Sequence, residues 1–153
     1  MKLYERIIIG LCGLLSGLSV FVPSAHADGT LITKPSHYSV SETIDRIEQA
    51  VTGKGMTLFA RINHGGEAKK VGLEMPPTEL LIFGNPKGGT ALMVATPTVA
   101  IDLPMKALAW QDQAGRVWLT YNASALLPTR HGLAAELAAR LDPVGALLER
   151  AVE

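Results

Sequence analysis

Cysteine is nearly absent from this 153-residue chain. Its single copy, Cys12, lies in an apolar segment near the amino terminus, and Leu11 precedes it where a lipid-anchored cysteine normally needs a small residue. Past that segment, disulfide staples and thiol chemistry are excluded, so stability has to come from packing. Long apolar runs are missing too. Residues 7–22 form the longest, and Gly10, Gly13 and Gly17 interrupt it. It falls short of the about 20 apolar residues that a membrane-spanning helix needs. Charge of one sign is also lacking, since 14 basic residues face 14 acidic ones. That balance leaves no electrostatic footprint for nucleic acid or a membrane surface.

What stands at the amino terminus reads as a secretory leader. Lys2 and Arg6 precede the apolar run, and Pro23-Ser-Ala-His-Ala27 offers small residues at the two positions read by a signal peptidase. Cleavage after Ala27 predicts a periplasmic or secreted domain over residues 28–153, with 12 basic and 13 acidic residues once Lys2, Glu5 and Arg6 are removed. No linker or repeat divides that segment, so it predicts one domain with one core.

Within it, residues 29–34 predict a strand that Pro35 stops. Ser39 and Glu42 form a capping box, and Val40, Ile44, Ile47 and Val51 place one apolar stripe on the helix that follows, with Gly53 as a left-handed stop. Met56, Leu58, Ala60 and Ile62 alternate with polar or exposed positions, the pattern of a strand with one buried face. His64 sits at its exit. Residues 65–72 suit about two helical turns, and Pro76-Pro77 ends them. Residues 79–83 predict a central strand, residues 84–89 a loop, and residues 92–103 short helical turns. Residues 105–111 and 116–122 flank Asp112-Gln-Ala-Gly115 as a hairpin. Leu133, Leu137, Leu141, Val144 and Leu148 continue one helical stripe, with Asp142-Pro143 able to restart the helix. This order predicts a two-layer α+β domain, with helices packed on one face of a four- to five-stranded, mostly antiparallel sheet. Phe59, Trp110 and Trp118 are candidates for the other face, as a dimer surface or ligand groove.

Few residues could carry chemistry. His37, His64 and His131 remain after the leader, and no His-x-x-x-His repeat joins them. A cluster of His64 and His131 with Glu79 or Asp102 would be needed for a metal, which requires three or four converging ligands. Met56, Met75, Met93 and Met105 offer thioethers suited to a soft cuprous ion, but their irregular spacing favours core packing for Met56 and Met93. No Gly-x-Ser-x-Gly elbow is present, and the glycines of 84–89 lack the Gly-Lys-Ser/Thr ending of a phosphate loop. Glu79 opens an apolar strand, so it needs a partner, and Arg61, His64 and Lys69 are the candidates.

Several stretches together resemble the domain of unknown function 302 family: Ala60-Arg-Ile-Asn-His64, residues 68–72, Met75-Pro-Pro-Thr-Glu-Leu-Leu-Ile-Phe-Gly-Asn-Pro86, Leu92-Met93, Asp102-Leu-Pro104, Gly115-Arg-Val-Trp-Leu-Thr-Tyr121 and Arg130-His131. The resemblance covers essentially all of residues 28–153. It implies a compact α+β fold and pairing of protomers, without an established reaction. An aspartate commonly precedes the family's histidine where this chain has Asn63, and an amide cannot serve as a base. A glutamine is common where this chain has Val94. The polar positions that the resemblance marks as ligand-binding are His64, Glu79, Asn85, Asp102, Tyr121 and His131, expected to line one surface. The function expected is an exported, non-catalytic binding or interaction module, homodimeric, holding a small ligand or periplasmic partner. The competing expectation is a metal-dependent or acid/base enzyme using His64 with Glu79 or Asp102.

Overall fold

The first helix shows how local sequence sets the frame. In the computed structural model, which describes residues 30–153, Ser39 caps helix α1 (Val40–Thr52) by accepting the Glu42 backbone N–H at 3.2 Å. The expected leader and its cleavage site lie outside the described residues. The stripe Val40, Ile44, Ile47 and Val51 is buried almost completely, each side chain contributing about 2 kcal/mol of hydrophobic stabilisation. Gly53 does not stop the helix through a left-handed conformation, because its φ is −61°; the left-handed turn falls on Gly55, at φ 72°.

Strands β1 (Leu31–Ser36), β2 (Thr57–Asn63), β3 (Thr78–Gly84), β4 (Met105–Gln111) and β5 (Val117–Asn122) form one sheet in the order β1-β5-β4-β3-β2, every neighbouring pair antiparallel. Pro35 lies inside β1 rather than ending it. The strand tolerates it because β1 is an edge, paired only with β5. Strand β3 is central as expected, and its Glu79, Leu81 and Phe83 face the core while Leu80 and Ile82 face away. The register puts Asn63, Thr78, Gln111, Val117 and Ser36 at one end of the sheet, and Thr57, Gly84, Met105, Asn122 and Leu31 at the other.

Helix α1 and the final helix α6 (Asp142–Val152) cover one face, packed on each other and on the sheet. The result is a two-layer α+β domain. On the opposite face Trp110 and Trp118 are cross-strand neighbours with ring centroids 6.4 Å apart. They sit among half-buried Leu80, Ile82 and Leu108.

Two expectations fail at the Gly84 end. Residues 84–89 are not a loop, because helix α3 (Pro86–Ala95) begins there, with Asn85 as its cap and Pro86 in its first turn. The carboxy-terminal stripe is not one helix either. It is broken into α4 (Leu126–His131), α5 (Ala135–Ala138), a 3-10 turn Ala139–Leu141 and α6, with Gly132 in the left-handed region at φ 69° ending α4. Leu133, Leu137 and Leu141 accordingly join Leu92, Val99 and Leu127 in a second, smaller cluster, while Val144 and Leu148 belong to the main core.

Candidate functional site

The six polar positions marked by the resemblance do not share a surface. Helix α2 (His64–Lys70) starts where β2 ends, and His64 points outward, with no hydrogen bond or ion pair from its side chain among the described residues. The residue facing Glu79 across the β2–β3 register is Asn63. Its Oδ1 accepts the Gly66 N–H at 2.6 Å and so caps α2, while its Nδ2 lies 3.4 Å from Glu79 Oε1. Glu79, 7% exposed, spends its other oxygen on Arg61, whose Nε and Nη2 both lie 2.8 Å away. Arg61 reaches on to Asp45 and Ser41 of α1. Glu79 therefore joins sheet to helix, and the His64–Glu79 pairing expected for acid/base chemistry is not formed.

Asp102 and His131 lie beyond the opposite end of the sheet, separated from His64 by the length of a seven-residue strand, about 20 Å. The His64–Asp102 pairing and the convergence of His64 with His131 are thus not formed either. Among the described residues no group of three His, Cys, Asp or Glu side chains could hold a metal ion. What Asp102 does hold is His131, at 2.6 Å from Oδ2 to Nε2, and Arg130, at 2.9 Å. The other His131 nitrogen meets the Thr98 hydroxyl at 3.1 Å. Hydroxyl, imidazole and carboxylate in a row can in general activate a nucleophile. Here the space bordering Asp102 is only about 30 Å³, room for about one water molecule, and the row fastens α4 to the 3-10 turn Pro97–Ile101.

Tyr121 is buried beneath α6, where its hydroxyl donates to Glu149 Oε1 at 2.7 Å. Burial, and then the Glu149 carboxylate, push the phenol far above its ordinary range. The same bond holds Glu149 below the usual carboxylate range despite partial burial, with Lys34 at 3.3 Å assisting. A phenol so placed braces α6 against the sheet and faces no ligand.

Only Asn85 of the six borders a sizeable space. Between the two hydrophobic clusters lies a cavity of about 550 Å³, within the usual range of small-molecule sites. Met56, Met105 and Val144 reach it from the main core, and Leu92, Leu103 and Leu141 from the smaller one. Phe59, 52% exposed beside the β-bulge at Leu58/Ala60, stands at its edge. Met93 of α3 joins Met56 and Met105 in the lining, whereas Met75 is exposed elsewhere. Lys87 and Arg140 are its only charged lining residues, and neither side chain has an ion-pair or hydrogen-bond partner among the described residues. The site is hidden in the sequence because the glycines of residues 84–89 obscure α3. The Asn85-Pro86 pair, cap followed by first-turn proline, was the signal that could have found it.

A family model described as Domain of unknown function DUF302 matches residues 32–153. The chain is similar to Fluoride-specific ion channel FluC 1 of Brucella suis biovar 1 (strain 1330), 51% identical over 106 residues that make up 69% of this chain and 42% of that protein. It is similar to the same degree to Fluoride-specific ion channel FluC 2 of Brucella melitensis biotype 1, with 39% of that protein covered. The chain thus spans about two fifths of the curated relatives it matches. Among solved structures, the crystal structure of an uncharacterized conserved protein DUF302 from Bacillus stearothermophilus superposes with a TM-score of 0.72 at 20% identity, covering 81% of this chain and 98% of that one. That likeness establishes the fold alone.

Proposed function

Because the chain belongs to the family of the domain of unknown function DUF302, its role has to be read from its own surfaces, and we propose that it is a non-catalytic module that binds a small apolar ligand in the cavity beside α3. The observation that carries this reading is the solvent-open cleft of about 550 Å³ between two apolar clusters. A cleft of this size with a mostly apolar lining and few polar groups has the usual form of a small-molecule site. Exported action, in the periplasm or outside the cell, is supported by the leader pattern of residues 1–27. Homodimerisation through the open sheet face is supported by the paired Trp110 and Trp118 and their apolar neighbours.

The two relatives named as fluoride channels bear on this in one respect. Among the described residues no helix is long and apolar enough to cross a membrane, and more than half of each relative lies outside the match. We read the shared segment as a domain that accompanies the conducting part of those proteins.

Titration with the neutral fluorophore N-phenyl-1-naphthylamine tests the binding reading. Saturable fluorescence enhancement at one site per chain, abolished by Val144→Trp in a variant that still folds, is the expected result. Absence of saturable enhancement in the unsubstituted protein overturns it.

A further inference from the structure

We infer that the ligand of this cavity is an amphipathic anion, an alkyl or aryl carboxylate whose chain lies among the methionines and whose charged end rests at Lys87 and Arg140; the inference rests on the binding reading above. Charge complementarity is the first ground. The cavity wall carries two cationic side chains and no acidic one. Neither cation is neutralised by a partner among the described residues, although the protein contains as many acidic residues as basic ones. Both are exposed to solvent, so their positive potential at the cleft attracts an anion and repels a cation.

The second ground is a pair of glycines that the fold itself does not need. Gly88 and Gly89 lie inside α3, where glycine is less favourable than alanine. Neither adopts a left-handed conformation. A Cβ added at Gly88 would meet nothing within 4 Å, and one at Gly89 would make ordinary contacts, 3.9 Å to Met93 Cε and 4.0 Å to Leu103 Cδ1. Gly145 is different, since a Cβ there would stand 3.2 Å from the Tyr121 hydroxyl. Packing explains Gly145 and leaves Gly88 and Gly89 unexplained. Both line the cavity next to Lys87, so what their bare backbone provides is close approach for a ligand's polar end. The three thioether side chains of the lining are flexible and polarizable, able to follow a chain of irregular shape.

Calorimetric titration of the purified protein with decanoate, 1-decanol and decyltrimethylammonium separates the possibilities. The expected order is decanoate tightest, with the cation weaker by about tenfold or more, the worth of one charged contact. Lys87→Gln with Arg140→Gln should remove that preference while leaving decanol binding in place. Gly88→Ala with Gly89→Ala should raise the melting temperature, as helix propensity dictates, yet weaken decanoate by about tenfold. Equal binding of all three compounds overturns the anion inference and leaves the cavity reading standing. Failure of every chain compound to bind overturns the cavity reading itself. A more stable alanine variant with unchanged decanoate affinity removes the role assigned to the glycines.

Discussion

His131 Nε2 lies 2.6 Å from Asp102 Oδ2, and the two side chains, 5% and 11% exposed, fasten α4 to the turn that precedes β4. Residues 29 positions apart in sequence are held together here by a bond with little access to water. Among the described residues the space bordering Asp102 is about 30 Å³, too small for a substrate.

His131→Ala should therefore destabilise the fold by about 1–3 kcal/mol, the range for leaving a buried polar partner unsatisfied. Urea unfolding monitored by circular dichroism measures this. Unchanged stability with a loss of ligand binding would instead assign His131 to a site.

The Arg61–Glu79 pair calls for a smaller figure than a fully buried ion pair would. Glu79 is buried but the Arg61 side chain is 32% exposed, so water screens part of the interaction. Glu79→Ala is expected to cost about 2 kcal/mol, below the range for breaking a fully buried pair. His64→Ala should cost almost nothing, because the His64 side chain holds no partner among the described residues. Paired denaturation curves of the two variants test the contrast.

Asp112 gives the fold a pH signature. The Trp118 indole N–H donates to Asp112 Oδ2 at 2.9 Å, and with the Arg116 backbone and guanidinium it lowers the carboxyl pKa from 3.8 to about 2. The folded value lies below the unfolded one. The stabilisation is thus fully present above about pH 4 and is lost as the pH falls through about 2. Trp118 fluorescence should change over that interval, and Asp112→Asn should abolish the change. A transition that persists in the asparagine variant would place its origin elsewhere.

Pairing through the open sheet face predicts that Trp110→Lys yields a monomer without loss of fold, because the change adds charge to a half-buried apolar face and leaves the helix-covered face untouched. Sedimentation equilibrium of both proteins reads this directly. A monomeric unsubstituted protein, or a dimeric variant, contradicts it.

Local signals in the sequence were read correctly where one residue type had one physical use. Ser39 with Glu42 marks the start of α1, Asp112 and Gly115 mark the hairpin, and Arg61 is one of the candidate partners of Glu79 that the fold brings to it. The β3 run showed a central strand, although Leu80 and Ile82 turned out to face the open side. Reading failed where tertiary position decides. Pro35 is tolerated only because β1 is an edge. The glycines of 84–89 masked a helix whose cap, Asn85, was in plain view. His131 could not be assigned to Asp102, because nothing local in a sequence encodes a contact across 29 residues. The cavity was illegible for the same reason. Its three methionines come from the loop before β2, from α3 and from the start of β4, and only the fold brings them to one cleft.

Those methionines supply the most direct test that the cavity is a binding site. With methyl-carbon-labelled methionine, titration with decanoate should shift the resonances of Met56, Met93 and Met105 together along one saturating curve, while Met75, exposed outside the cavity, stays in place. Methyl signals from the first three that do not move, or a response confined to Met75, would contradict ligand binding between the two clusters.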